Sequence, residues 1–361
     1  MPATLAEIKD LLLAANVPTA LERLGELVAS DQPHFVKDVN SLFSAYNHLE
    51  SQKALGVLVP HQIPYHYSVH LQSVWDFISR LEDGELGDEP KERPSVDIFH
   101  GYTVNRDNQY DAFCGHRGLG EQCQFFILHG DDRHEHEHFF ERIAHDLMGH
   151  FRDVDNPNLL NDCTVERLSP YAVRYRENPE DYRKELLRKL YDKAGLDANA
   201  HAPLLDKDLD YFRQQAPRTA ALGLGDYVTV FFRLEDLDEA PEKAAETVSW
   251  FIEYVAENPL PTDAPRFLFF FSFEFDESYP DEAEEVRDAV AKIPKACVIQ
   301  EFNRVSSREV VRWLKQYRKV IPGALHPRSF GEELFPRGQD YFMADVNPKL
   351  QKLINDYNES L

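Results

Sequence analysis

Three apolar runs, at 124–128, 227–234 and 267–275, restrict this chain's fold more than any other feature. The last reads Phe-Leu-Phe-Phe-Phe-Ser-Phe-Glu-Phe, with hardly a polar residue to mark a solvent face. A strand with one wet face alternates polar and apolar residues. A strand covered on both faces does not, and such strands belong to parallel sheets sandwiched between helices. The intervening sequence supplies those helices, predicted at about 181–194, 206–215, 240–256, 281–291 and 310–317, with a final one at 348–357. A short fourth strand is predicted at 296–300. Ser306 and Glu309 have the spacing of a capping box just ahead of the helix at 310–317. Residues 96–361 therefore read as an α/β domain with a mainly parallel sheet.

Residues 1–82 carry no strand pattern. Leu5, Ile8, Leu11 and Leu12 form one apolar stripe, which Asn16, Val17 and Pro18 break; Thr19 is placed to cap a second helix carrying Leu21, Leu24 and Val28. A third helix opens at Pro33 with Val36, Val39, Leu42, Phe43 and Tyr46. A fourth carries Val69, Val74, Trp75, Ile78 and Leu81. The prediction is an N-terminal all-α helical bundle, a binding unit rather than an enzyme. Residues 83–95 hold two glycines, two prolines, many charges and one aliphatic side chain, the composition of a linker.

Charge excludes some partners. Lys and Arg total 39 against 63 Asp and Glu, a net charge of −24. That opposes a broad nucleic-acid surface or an anionic-membrane surface, both of which rest on clustered cations. The four cysteines never pair at Cys-x-x-Cys spacing, so reduced, mostly buried thiols are expected. No apolar run reaches membrane-spanning length and no leader pattern opens the chain, which together predict a cytoplasmic protein.

The stretch 122–149 is where chemistry would be sought. A compact strand is followed by Gly130, a polar turn, and a helix starting near His136 or Glu137 with Phe139, Phe140, Ile143 and Leu147 at helical spacing. Strand, turn and helix open many nucleotide-binding folds. A working phosphate loop reads Gly-x-x-x-x-Gly-Lys-Ser/Thr. Counted from Gly130, the second glycine falls on Glu135, the lysine on His136 and the hydroxyl residue on Glu137. Arg133 is the only fixed positive charge, among Asp131, Asp132, Glu135 and Glu137, which would repel a triphosphate. A second glycine set, Gly115, Gly118 and Gly120, precedes the strand and reads as an entry loop. Glu274, or the pair Asp276 and Glu277, stands at the end of an apolar strand, where a magnesium carboxylate would sit. His134, Glu135 and His138 match His-Glu-x-x-His, but in a polar turn rather than mid-helix, where zinc-protease chemistry needs it. No Gly-x-Ser-x-Gly occurs, and no nucleophile arrangement stands out.

Residues 105–113 (Asn-Arg-Asp-Asn-Gln-Tyr-Asp-Ala-Phe) and 124–142, with Phe125-Phe126, Gly130, the polar turn and Glu141-Arg142, resemble the inactive STAND domains of bacterial conflict systems. So do Glu301, Phe302, Asn303, Arg308 and the run Val310-Val311-Arg312-Trp313-Leu314. Those domains are similar to STAND NTPases with a decayed phosphate loop. The resemblance spans roughly 96–361 and implies a P-loop-like fold without nucleotide turnover. The N-terminal module, with Ala20-Leu21-Glu22-Arg23-Leu24, residues 39–49 and Leu55-Gly56-Val57-Leu58, is similar to a death-fold-like effector-associated domain. That implies pairing with a matching helical module on an effector such as a protease, or self-association. The expected function is a non-enzymatic adaptor or sensor with no cofactor. The alternatives are a switch binding ATP or GTP with magnesium through Arg133 and His136, a metal-dependent hydrolase using His134, Glu135 and His138, and a plain interaction domain.

Overall fold

Cross-strand stacking of phenylalanines explains why the apolar runs pair as they do. In the computed structural model, Phe126 stacks on Phe270 at 4.9 Å, Phe125 on Phe269 at 5.4 Å and Phe232 on Phe271 at 5.1 Å, each pair in register on neighbouring strands. The strands are β1 (Cys123–Asp131), β2 (Val165–Leu168), β3 (Tyr227–Leu234), β4 (Arg266–Phe275) and β5 (Cys297–Val298). They form one sheet in the order β2-β3-β4-β1-β5, with every pairing parallel. The structure describes residues 4–14, 16–31, 36–54, 95–117, 121–151, 160–169, 172–237, 240–321 and 327–361, with scattered positions between 67 and 81. The chain divides into two compact units, Met1–Lys91 and Glu92–Leu361.

Right-handed crossovers decide which helix covers which face. The chain runs from β1 to the far edge at β2 and then returns strand by strand, so the first connection lies on the opposite face from the rest. On that first face, α4 (Asp107–Arg117) and α5 (His136–Leu147) bring Phe113, Phe139, Phe140 and Ile143 onto Phe126, Leu128 and Phe270. On the other face, α6 (Pro179–Lys193), α7 (Leu209–Gln215), α8 (Pro241–Glu257) and α9 (Pro280–Val290) cover Phe125, Ile127, Phe269 and Phe271. Beyond β5, the short antiparallel pair β6 (Val305–Ser306) and β7 (Asp340–Tyr341) accompanies α10 (Ser307–Gln316), α11 (Pro327–Leu334) and α12 (Met343–Glu359). Their core joins Trp313, Leu314, Leu350 and Ile354 to Val96 and Val104.

In the N-terminal unit, α1 (Leu5–Leu13), α2 (Val17–Asp31) and α3 (Val36–Ala54) pack through Ile8, Leu12, Leu21, Leu24 and Val39, with Val74, Phe77 and Ile78 from helical positions between 67 and 81. No helix among the described residues is long and apolar enough to cross a membrane.

Several sequence expectations need correction. Pro18 lies in the first turn of α2, where a missing N–H costs nothing, so the helix starts at Val17 and Thr19 is not its cap. Strand β1 runs to Asp131, so Gly130 is a strand residue and not part of the turn. Gly115 lies within α4 rather than in a loop; Gly118 and Gly120, like 83–94 of the linker, fall outside the described residues. The last helix begins at Met343 and carries Pro348 inside it; burial of Val346, Leu350, Leu353 and Ile354 offsets the lost backbone hydrogen bond. The cysteines are free but half-buried.

Candidate functional site

In open α/β sheets, ligands gather beyond the carboxyl ends of strands where successive connections part in opposite directions. Here that place lies beyond β1 and β4: the chain leaves β1 toward β2 and leaves β4 toward β5. The turn after β1 is a single 3-10 turn, Asp132–His134, followed by Glu135 in the left-handed conformation (φ 54°, ψ 62°), and then α5. Glu135 thus keeps the backbone shape for which a glycine is favoured, in a residue that adopts it at a cost. It is held there by its carboxylate, which meets His138 Nδ1 at 2.6 Å and accepts from Asn347 Nδ2 at 3.3 Å.

His136, fully buried, fills the lysine's position. Its Nδ1 lies 2.7 Å from Ser272 Oγ, and Ser272 donates to Glu274 Oε1 at 2.9 Å. Because the serine proton is committed to Glu274, Nδ1 carries the imidazole proton and Nε2 is bare, without a hydrogen-bond partner. Nε2 lies 3.4 Å from where a side chain on Gly130 would begin, which is van der Waals contact, and Gly130 has φ +146°, so it is the backbone conformation that calls for a glycine. Burial holds His136 well below its ordinary pKa and pushes Glu274 above its own. The ring is neutral and points into protein. Nor is Ser272 an activated nucleophile: a catalytic histidine accepts the serine proton, whereas His136 donates to the hydroxyl.

Arg133 is equally committed. Asp131, 1% exposed, accepts from its Nε and Nη2, both at 2.7 Å, and from its backbone N–H at 3.0 Å. The Glu277 N–H adds a fourth bond at 3.0 Å. Burial alone would raise the Asp131 pKa, but the bonds from Arg133 outweigh it and hold the carboxyl below its usual range. Arg133 also lies 3.6 Å from Asp276 and 3.8 Å from the centre of the Phe342 ring. Arg304 covers that ring's surroundings at 4.2 Å and pairs with Glu277.

The strand-end acids do not converge. Glu274 accepts from Ser272, Asp276 accepts from the Ser278 N–H at 2.8 Å, and Glu277 is held by Arg304. Glu137, at the hydroxyl residue's position, accepts from Ser169 at 2.7 Å. His134 is buried against Phe342, with its pKa pushed down to about 4 by burial, while His138 stacks on Tyr102 at 4.2 Å. No group of three His, Cys, Asp or Glu side chains among the described residues is arranged to hold a metal. A magnesium nucleotide does not fit these residues: the position of its lysine is uncharged, Arg133 and Arg304 are each paired with a carboxylate, and the third guanidinium at the turn, Arg106, is buried and spent on backbone carbonyls.

Sequence reasoning locates the turn but misses Ser272, Arg106, Arg304, Phe342 and Asn347. Ser272 leaves a signal, as a lone hydroxyl in a strand apolar on both faces must find a partner. Arg106 leaves little. It is buried, reaches the His134 carbonyl at 2.9 Å and lies 4.5 Å from the Phe302 ring.

Residues 101–272 match the family model of inactive STAND domains. No curated protein matches in sequence. Among solved structures, the chain is similar to the Aeropyrum pernix ORC2 protein in its ADP form, at 12% identity and TM-score 0.37, over 75% of this chain and 71% of that one. It is also similar to the Aeropyrum pernix ORC1 protein in complex with DNA, at 9% identity and TM-score 0.35, over 75% and 63%. The Drosophila ORC bound to DNA gives 9% identity and TM-score 0.32, over 79% and 69%.

Proposed function

We propose that this chain is a non-enzymatic adaptor or sensor of a bacterial conflict system, acting in the cytoplasm. Its N-terminal helical module recruits an effector through a matching module, and its α/β unit is a degenerate nucleotide fold that senses or scaffolds. The observation that carries this reading is the closed turn after β1. A buried, neutral His136 lies where a phosphate lysine would project, and Asp131 occupies Arg133 on two donors. A turn whose charges are satisfied internally has shape to offer a partner and no cation to offer a phosphate. The match of 101–272 to inactive STAND domains supports the same reading.

Titration calorimetry of the full chain with Mg-ATP and Mg-GTP should show no binding; micromolar affinity for either would replace this reading with a nucleotide switch. The recruiting half is tested by co-purifying the chain with effectors encoded beside it. Glu22 lies exposed on α2, so Glu22→Lys reverses a surface charge without touching the core. Capture should weaken about tenfold with an unchanged circular dichroism spectrum. Failure of every neighbouring product to co-purify would reduce the chain to a plain interaction domain.

A further inference from the structure

Away from the turn, the helices before β1 and after β5 enclose a cavity of about 370 Å³. One wall is 103–105 and 107–110, entering α4; the second is Arg142 and Asp146 of α5; the third is formed by Glu309, Arg312 and Trp313 of α10. None of the turn residues 131–138 lines it. The volume is in the range of small-molecule sites, which start at about 300 Å³.

Arg142 is the feature that calls for a ligand. It is only 8% exposed, yet Nη1 has no hydrogen-bond partner among the described residues. Its guanidinium lies 4.5 Å from the centre of the Tyr110 ring. Nη2 approaches Asp107 Oδ1 only to 3.8 Å, beyond hydrogen-bonding distance. Asp107 in turn lies 3.7 Å from Arg312, so it stands between two guanidiniums and is bonded closely to neither. A buried guanidinium with an idle donor is costly, and native structures rarely leave one unsatisfied. The missing partner is an acceptor, and the best acceptor for a planar guanidinium is a carboxylate.

The remaining lining selects against a large anion. Asp107, Asp146 and Glu309 face Arg142 and Arg312, three negative charges against two positive, a net of −1. Polyphosphates are repelled, whereas a molecule carrying one negative and one positive group is matched at both ends. Tyr110 donates to Asp146 Oδ2 at 2.5 Å, fixing that carboxylate toward α4. Trp313 and Tyr317, stacked at 4.6 Å, provide an apolar wall for a side chain.

We propose that this cavity binds a small zwitterion of the α-amino-acid class, its carboxylate on Arg142 and its ammonium on Asp107 and Asp146, with its side chain against Trp313. The site is independent of the turn after β1 and of effector recruitment, and stands or falls without them.

The test uses the full chain. Thermal shift and calorimetry are run against the standard free amino acids, their desamino acids, their decarboxylated amines, and Mg-ATP. At least one amino acid should bind, with the corresponding desamino acid and amine each weaker by about tenfold or more, because the amine leaves buried Arg142 unpaired and the desamino acid leaves Asp107 and Asp146 without a cation. Arg142→Gln should abolish that binding without lowering the ligand-free melting temperature, since it removes an unsatisfied buried charge. Asp107→Asn, at an exposed position that leaves folding intact, should weaken the amino acid while sparing the desamino acid. The proposal is overturned if no amino acid binds, if Mg-ATP alone binds, or if binding survives both substitutions.

Discussion

His136 and its neighbours make a compact argument about what one residue can restore. A lysine at this position looks like the repair that would return phosphate binding. The surroundings say otherwise, because the site is enclosed by Ser272, Phe302 and the backbone of Gly130, and the imidazole it holds is uncharged. An ammonium there would have to shed its hydration with Glu274 reached only through Ser272 and Asp131 already bound to Arg133. His136→Lys should therefore lower stability by about 3 kcal/mol, measured by urea denaturation, and gain no heat of binding with Mg-ATP. A variant that stays as stable as the parent and binds nucleotide would show that the turn is open. The identities at 130, 135, 136 and 137 are legible in the sequence, and so is their departure from a working phosphate loop. The destination of each side chain is not, because Ser272 lies 136 positions away and Asn347 lies 209 from His138.

At the scale of elements, legibility follows how much each element depends on its own residues. Strand β4 announces itself because nearly all its residues are buried on both faces. The capping box is also local: Glu309 N–H donates to Ser306 Oγ while the Glu309 carboxylate accepts from the Ser306 N–H at 2.7 Å, as the spacing predicts. Strand β2 is invisible by contrast, since Val-Glu-Arg-Leu has one buried residue and exists by pairing with β3. The packing of α10 on α11 is equally non-local. Gly331 lies where an added Cβ would come within 2.7 Å of Val311 Cγ2 and 3.0 Å of Leu314 Cδ1, so the glycine lets the two helices meet. In an isolated helix Gly→Ala stabilises; here Gly331→Ala should destabilise by about 1–3 kcal/mol, because the overlap pushes the helices apart. A raised denaturation midpoint would mean that Val311 turns aside freely.

Taken whole, the α/β unit has an unusual number of histidines sealed in neutral form. Burial pushes His100 and His134 down to about 4 and His145 to about 3, and His136 lies well below its ordinary value. Their folded pKa values lie below the unfolded value of about 6.5, so the unfolded chain takes up protons first. The stability they permit is complete above about pH 6.5 and falls as the pH drops through the window down to about 4. His100, His134 and His145 each contribute a loss on the order of 2 kcal/mol by pH 5, and together they rival the whole stability of a marginal domain. Urea midpoints followed by tryptophan fluorescence should therefore fall steeply between pH 6.5 and 5, before carboxylates titrate. A flat midpoint over that interval would show that these rings are already hydrated.

Phe342, pressed by Arg133 from the β1 turn and by Arg304 from the strand-end loop, leads directly into α12, and α12 returns Asn347 to Glu135. Viewed as a latch, this arrangement sets a population. Two cation–π contacts at about 0.5–1 kcal/mol each, with one charged hydrogen bond of about 1.5 kcal/mol, hold the last helix to the turn by roughly 3 kcal/mol. Burial of Val346, Leu350 and Ile354 adds to that figure, so far fewer than about one molecule in a hundred has the helix released. Any signal that works by lifting α12 must supply that free energy from its own binding, so a weak ligand will leave this molecule shut.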